Sequence, residues 1–197
     1  MLLGPEACLL CGATGTPACP ACLDAVRAPA LPPPHQVDAC RALVDYHLAR
    51  PLVTRLKNGQ RRSLVTPLAA ALAAAVAPSP GAVVTWAPTT PERARARGFD
   101  QAELLARALA RRWRRPVQPL LRRVPGTAQM GRGRPARHRA PAFEALRSAP
   151  AAVVLVDDVV TTGATLAAAA RALRAAGART VEAAVLAQAE RAPAARP

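Results

Sequence analysis

The chain has 197 residues, of which 51% are hydrophobic and only 3% aromatic, and 27 Lys and Arg against 12 acids give it a net charge of +15. That apolar content is enough to bury a core and argues against a wholly disordered chain, while its longest apolar runs fall well short of the roughly 18 residues needed to cross a bilayer. The opening MLLGPEACLL has no positive stretch and is broken by Gly4, Pro5 and Glu6, so a cytoplasmic protein without membrane insertion is expected.

Residues 1–30 are rich in Cys, Gly and Pro and show no amphipathic period, the pattern of a small knuckle held by something other than a core. Pro32, Pro33 and Pro34 follow as a stiff linker. Residues 42–46 read as a short strand and 47–57 as a helix stopped by Gly59. A second apolar helix covers 63–76 and ends at Pro78, Pro80 and Gly81. The largely apolar run 82–86 has the length and β-branching of a buried strand. Segment 99–113 sets Ala102, Leu105, Ala106 and Leu109 on one face and arginines on the other, which predicts a helix. A short strand is predicted at 117–121, a long basic loop at 124–141, a strand at 152–156, a helix at 164–176 closed by Gly177, and a strand at 180–186. From residue 82 the order is β-α-β-loop-β-α-β, which predicts an α/β fold with a mostly parallel sheet flanked by helices.

The charge is unevenly placed. Between residues 92 and 139 there are 14 arginines and three acids, whereas the first 40 residues carry one arginine and three acids. Lys57 is the only lysine. A positive band of this kind attracts polyanions, either a phosphorylated small molecule or a nucleic-acid backbone, although arginine clusters also occur as plain solvated helix faces. Aromatic stacking platforms of the sort single-strand binders use are scarce.

Cys8-x2-Cys11 and Cys19-x2-Cys22 form two CxxC turns seven residues apart. Each turn sets two thiolates about one tetrahedral edge apart, and two turns complete a four-cysteine structural zinc site with no open position for catalysis. Paired disulfides are the alternative, which a cytoplasmic location disfavours, and a thioredoxin-like redox pair needs only one CxxC. Cys40 is left over as an ordinary half-buried thiol.

The most informative stretch is Val153-Val154-Leu155-Val156-Asp157-Asp158-Val159-Val160-Thr161-Thr162-Gly163-Ala164-Thr165. Four aliphatics make a strand buried on both faces, and two carboxylates follow at its carboxyl end, where open α/β sheets place ligands. Residues 161–165 then turn into a helix whose free N–H groups suit an anion, with Gly163 letting a phosphate approach. Carboxylates accept from ribose hydroxyls, directly or through magnesium, while the loop holds a 5′-phosphate. The plainer alternative is a strand-to-helix turn with Asp158 as a cap.

VVLVDDVVTTGAT resembles the thirteen-residue phosphoribosyl pyrophosphate (PRPP) signature of type I phosphoribosyltransferases. More narrowly, the chain resembles the competence-associated ComF family. The likeness rests on the Cys8/Cys11/Cys19/Cys22 knuckle, Leu56-Lys57-Asn58-Gly59, the stretch from Arg97-Gly98-Phe99-Asp100-Gln101 to Ala106, and Arg122-Arg123-Val124-Pro125-Gly126-Thr127-Ala128-Gln129. The resemblance implies that Asp157 and Asp158 are ribose-hydroxyl acids and that Thr161, Thr162, Gly163, Ala164 and Thr165 are the 5′-phosphate loop. It places Pro88 and Thr89 by the pyrophosphate, with Arg97 and the lid arginines Arg132, Arg134 and Arg137 over it, and it implies magnesium bound with PRPP. Two departures stand out. Asp100 replaces the family's usual Asn, and Arg137-His138-Arg139-Ala140-Pro141 lacks the Asn that usually precedes the equivalent of Phe143. Thr161 also stands where purine-salvage relatives carry an acidic base, which disfavours purine transfer.

Two functions fit this pattern. One is a magnesium-dependent phosphoribosyltransferase tied to DNA uptake, displacing pyrophosphate from the ribose anomeric carbon. The other is a non-catalytic nucleotide-sensing scaffold that engages single-stranded DNA or competence proteins; the lack of an obvious general base speaks for it. The expected organisation is a knuckle and linker over 1–34, a phosphoribosyltransferase-like domain over 35–190 and a tail over 191–197.

Overall fold

The computed structural model describes residues 6–30, 32–58, 62–124 and 141–189. Its centre is a four-stranded parallel sheet in the order β1 (Ala39–Asp45), β6 (Thr180–Gln188), β5 (Ala152–Val160), β2 (Val83–Trp86). Strands β5 and β6 lie in the middle and are aliphatic on both faces, as an all-parallel sheet covered on both sides requires. Alternation along β5 sorts its side chains between two cores. Val154 and Val156 pack with Leu52 and Leu56 of α2 (Arg50–Lys57), Leu68 and Leu72 of α3 (Val65–Ala75), and Leu105 and Leu109 of α5 (Gln101–Trp113). Val153 and Leu155 pack on the other face with Leu166, Ala169 and Leu173 of α6 (Ala164–Ala175).

With so few aromatics, the largest fully buried side chains are all leucines, and alanines such as Ala69, Ala106, Ala169 and Ala170 let the helices lie close to the sheet. One of the two tryptophans also ties helix to helix, because Trp113 Nε1 donates to the carbonyls of Ala73 and Val76 and fixes the end of α5 on that of α3.

The N-terminal segment is joined to the outer edge of β1. Ala28 N–H donates to Leu43 O, Asp45 N–H donates to Val26 O, and Ala18 and Leu23 are buried in the same cluster as Val44 and Leu52. A short helix, α1 (Pro20–Ala25), follows Cys19, with Pro20 in its first turn.

The mostly parallel α/β sheet flanked by helices agrees with the sequence expectation, and several boundaries differ from it. The strand placed at 117–121 is broken: Val117 makes only a single bridge to Val84. Pro116 and Pro119 flank it and have no N–H for a ladder, and the strand proper is β3 (Leu121–Val124), which pairs antiparallel with an unexpected β4 (Ala142–Ala145) outside the main sheet. Of the long loop expected over 124–141, Val124 ends β3, and 125–140 lie outside the described residues. A helix that was not anticipated, α4 (Pro91–Arg97), has its own start and stop signals: the Thr90 hydroxyl accepts from Arg93 N–H, Pro91 and Glu92 stand in the first turn, and Gly98 closes it at φ +73°. Strand β5 runs four residues further than the predicted 156, so Asp157 and Asp158 lie within it and not beyond its end. Gly59 lies outside the described residues.

Candidate functional site

At the carboxyl end of β5 the chain closes around a cavity of about 240 Å³. Asp157, Asp158, Thr161 and Thr165 line it from β5 and the turn into α6, and Thr89 from the loop after β2. Four cations face it: Lys57 at the end of α2, Arg93 and Arg97 on α4, and Arg123 on β3. Arg93 and Arg97 are one helical turn apart, so α4 presents both to the same side. Asp100 and Gln101, at the start of α5, complete the wall.

The acids are held by backbone. Asp157 is buried at 7% exposure and its Oδ1 accepts from Asp158 N–H at 2.8 Å. Burial first, and the neighbouring Asp158 carboxylate second, hold the Asp157 carboxyl well above the usual carboxylate range. Asp158 lies nearer solvent and meets Lys57 Nζ at 3.5 Å. Asp100 caps α5, with Oδ1 accepting from Ala102 and Glu103 N–H, while Oδ2 accepts from Thr89 N–H at 2.8 Å and ties the loop after β2 to the helix. Both oxygens therefore act as acceptors. An Asn here would turn an NH2 group toward one of those donors, so the position suits Asp. Burial raises the Asp100 pKa against the lowering effect of those backbone bonds. Burial, then Arg93, lowers that of Arg123.

Of the residues singled out in the sequence, Asp157, Asp158, Thr161, Thr165, Thr89 and Arg97 meet at this cavity. Pro88 is not among its lining residues. Thr162, Gly163 and Ala164 line, with Thr161, a larger crevice of about 820 Å³ beneath the proline linker. Gly163 sits at φ +76° as the N-cap of α6, and a Cβ on it would fall 2.7 Å from Pro34 Cβ. The space reserved in the sequence reading for an approaching phosphate is, on that side of the glycine, filled by the linker. Arg132, Arg134 and Arg137 lie outside the described residues. The reading missed Lys57, Arg93, Asp100, Gln101 and Arg123. Arg93 had a local signal in the Thr90-Pro91-Glu92 helix start; Lys57, Asp100, Gln101 and Arg123 stood in the stretches that carry the family resemblance but reach the cavity only through tertiary packing.

The four N-terminal cysteines converge. The sulfurs of Cys8, Cys11, Cys19 and Cys22 all lie within 4.8 Å of one another, and the Cys11 and Cys19 sulfurs are 3.8 Å apart. A disulfide needs about 2.05 Å, whereas sulfurs about 2.3 Å from a tetrahedral zinc stand roughly 3.8 Å from each other. Gly12 at φ +78° and Gly15 at φ +110° make the turns that fold the first CxxC back on the chain. The crowded thiols influence one another. Against the upward push of burial, N–H groups of Cys19, Cys11 and Leu10 bring Cys8 down to about 6, while hydrogen bonds with Cys11 and Cys19 push Cys22 up to about 12. Four sulfurs at this spacing fit a soft divalent metal such as zinc. Cys40 is half-buried on β1, as expected, and burial together with Asp157 pushes its thiol up to about 11.

One comparison bears on the cavity directly. Residues 146–196 match the phosphoribosyl transferase domain. The matched stretch takes in β5, α6 and β6, the elements that supply both acids and the threonine turn. No curated protein matches the chain. Among the described residues, no helix is long and apolar enough to cross a membrane.

Proposed function

We propose that the 240 Å³ cavity binds PRPP, and that the chain is a ComF-like phosphoribosyl-binding protein. The observation that carries this reading is the meeting of two adjacent carboxylates, three threonines and four cations in one pocket at the carboxyl end of the β5 strand, inside the phosphoribosyl transferase match. Asp157 and Asp158 accept from the ribose hydroxyls. Thr161 and Thr165, which line the cavity, receive the 5′-phosphate at the start of α6, with Thr162, Gly163 and Ala164 completing the turn between them. The loop of Pro88 and Thr89, held by Asp100, with Arg93, Arg97 and Arg123, faces the diphosphate. Magnesium enters with the diphosphate and offsets its charge.

In the transfer reaction a nucleophile attacks the anomeric carbon while the bond to the diphosphate breaks and the diphosphate leaves with the electron pair. Positive charge builds on the ribose ring beside the two acids and negative charge on the leaving group beside the arginines, so the cavity is polarised in the sense the transition state needs. The knuckle holds structural zinc. The proposed organisation remains knuckle and linker over 1–34, a phosphoribosyltransferase-like domain over 35–190 and a tail over 191–197, in a cytoplasmic protein associated with natural transformation.

The reading is tested by thermal unfolding with and without magnesium–PRPP. A ligand at 100 times its Kd is expected to stabilise the protein by about 2.7 kcal/mol. No shift at millimolar PRPP would remove the proposal.

A second reading, binding of single-stranded DNA or a competence partner, is favoured by one observation: Arg111, Arg112 and Arg114 stand exposed at the end of α5, outside the cavity lining. On this reading the band continues into Arg132, Arg134 and Arg137. Log K for single-stranded DNA should fall by about 0.7 per log unit of salt for each phosphate contacted, and replacing those last three with Ala should flatten the slope by about 2. An unchanged slope would show that this segment does not hold DNA.

A further inference from the structure

Lys57 is the chain's only lysine, and nothing in the transfer chemistry above uses it. It ends α2, outside the matched phosphoribosyl transferase segment, yet it lines the same cavity. Its carbonyl accepts from Gln101 Nε2 at 3.2 Å, and Gln101 is buried at 2% exposure at the start of α5, so the backbone of Lys57 is anchored. Its side chain is not buried: it is 29% exposed, and its ammonium pairs with Asp158 Oδ2 at 3.5 Å, the Asp158 side chain being 21% exposed.

The partner is what makes the contact informative. Asp158 is one of the two carboxylates that accept from ribose hydroxyls on the reading proposed here, so the ion pair and a bound ribose compete for the same oxygens. The other three cations of the cavity are arginines, whose planar forks hold one direction well. A lysine is a compact charge on four rotatable carbons, able to leave one anion for another several ångströms away without moving its backbone.

We infer that Lys57 is a movable counter-ion: paired with Asp158 while the cavity holds no ligand, displaced when ribose hydroxyls take Asp158, and then turned onto the diphosphate. This rests on the phosphoribosyl reading and adds to it a residue that distinguishes a diphosphate-bearing ligand from a bare ribose phosphate. With a bare ribose phosphate Lys57 gives up Asp158 and finds no diphosphate to meet, so its net contribution to binding falls on the diphosphate.

A single lysine makes the test direct. Reductive methylation with ¹³C-formaldehyde keeps the charge and gives one side-chain dimethylamino resonance, separate from that of the α-amino group. Ribose 5-phosphate is expected to move that resonance, and magnesium–PRPP to move it to a different position. In calorimetry, Lys57→Met is expected to bind magnesium–PRPP about tenfold more weakly, the size of one charge-assisted contact, and ribose 5-phosphate within about twofold of the parent. A resonance unmoved by saturating PRPP, or equal loss of both ligands in the variant, would overturn the inference and leave the phosphoribosyl site standing. Failure of the parent to bind either ligand would overturn both.

Discussion

The four-cysteine knuckle and the cavity at the end of β5 are built in opposite ways. The knuckle takes its four converging sulfurs from 15 consecutive residues, Cys8 to Cys22, and tight turns bring them together. The cavity draws its charged groups from α2, α4, α5, β3 and β5, and Lys57 and Asp158 are 101 positions apart in the chain. The first is a local solution, a four-cysteine cluster of the kind that could hold a metal. The second is a tertiary solution that depends on the sheet. Damage to one is therefore expected to be felt differently from damage to the other.

The largest effect is expected at the knuckle. Cys8→Ala removes the buried member of the cluster, and structural zinc in small sites is worth roughly 10 kcal/mol of folding free energy. The variant is expected to lose stoichiometric metal and to become protease-sensitive over residues 6–30 while the sheet stays folded. Metal analysis and limited proteolysis would check this, and a variant that keeps one zinc per chain would break the comparison.

A smaller effect is expected where the two regions touch. Gly163→Ala puts a side chain at φ +76° and against Pro34, a combination expected to cost about 2 kcal/mol in thermal unfolding. An unchanged melting temperature would show that the linker yields freely and does not brace the turn.

The smallest effect has the opposite sign. Asp157→Asn removes a buried carboxyl whose pKa is raised by burial and by Asp158, and is expected to stabilise the ligand-free protein by about 1 kcal/mol near pH 7. The native state keeps this proton to higher pH than the unfolded chain, so the Asp157 contribution is complete in acid and lost as pH rises from about 4. The gap between variant and parent should therefore close toward pH 4 and widen above it. A gap that widens in acid would contradict the assignment.

The same contrast explains how much was legible in the sequence. Spacing alone located the knuckle, since CxxC turns are local. The run of aliphatics, two acids and the threonine turn located β5 and the start of α6 for the same reason. The parallel sheet followed from the alternation of strands and helices. Lys57, Asp100 and Arg123 were not legible as site residues, because each reaches the cavity through packing between elements distant in the chain. The misplaced strand at 117–121 shows apolar pattern losing to proline chemistry: Pro116 and Pro119 supply no N–H on either side of Val117 and Gln118, and the pairing stops at a single bridge. Helix α4 was missed because its interior, Pro91-Glu92-Arg93-Ala94-Arg95-Ala96-Arg97, has no apolar face and no buried residue, and only its caps mark it.

The central claim is that the two acids and the threonine turn form a phosphoribosyl site. The most direct measurement is calorimetric titration of magnesium–PRPP into the parent protein and into the Asp157→Asn/Asp158→Asn variant, with the fold of both confirmed by thermal unfolding. Saturable binding by the parent, lost in the folded double variant, is the predicted result. Equal binding by the two proteins, or none by the parent, would contradict it.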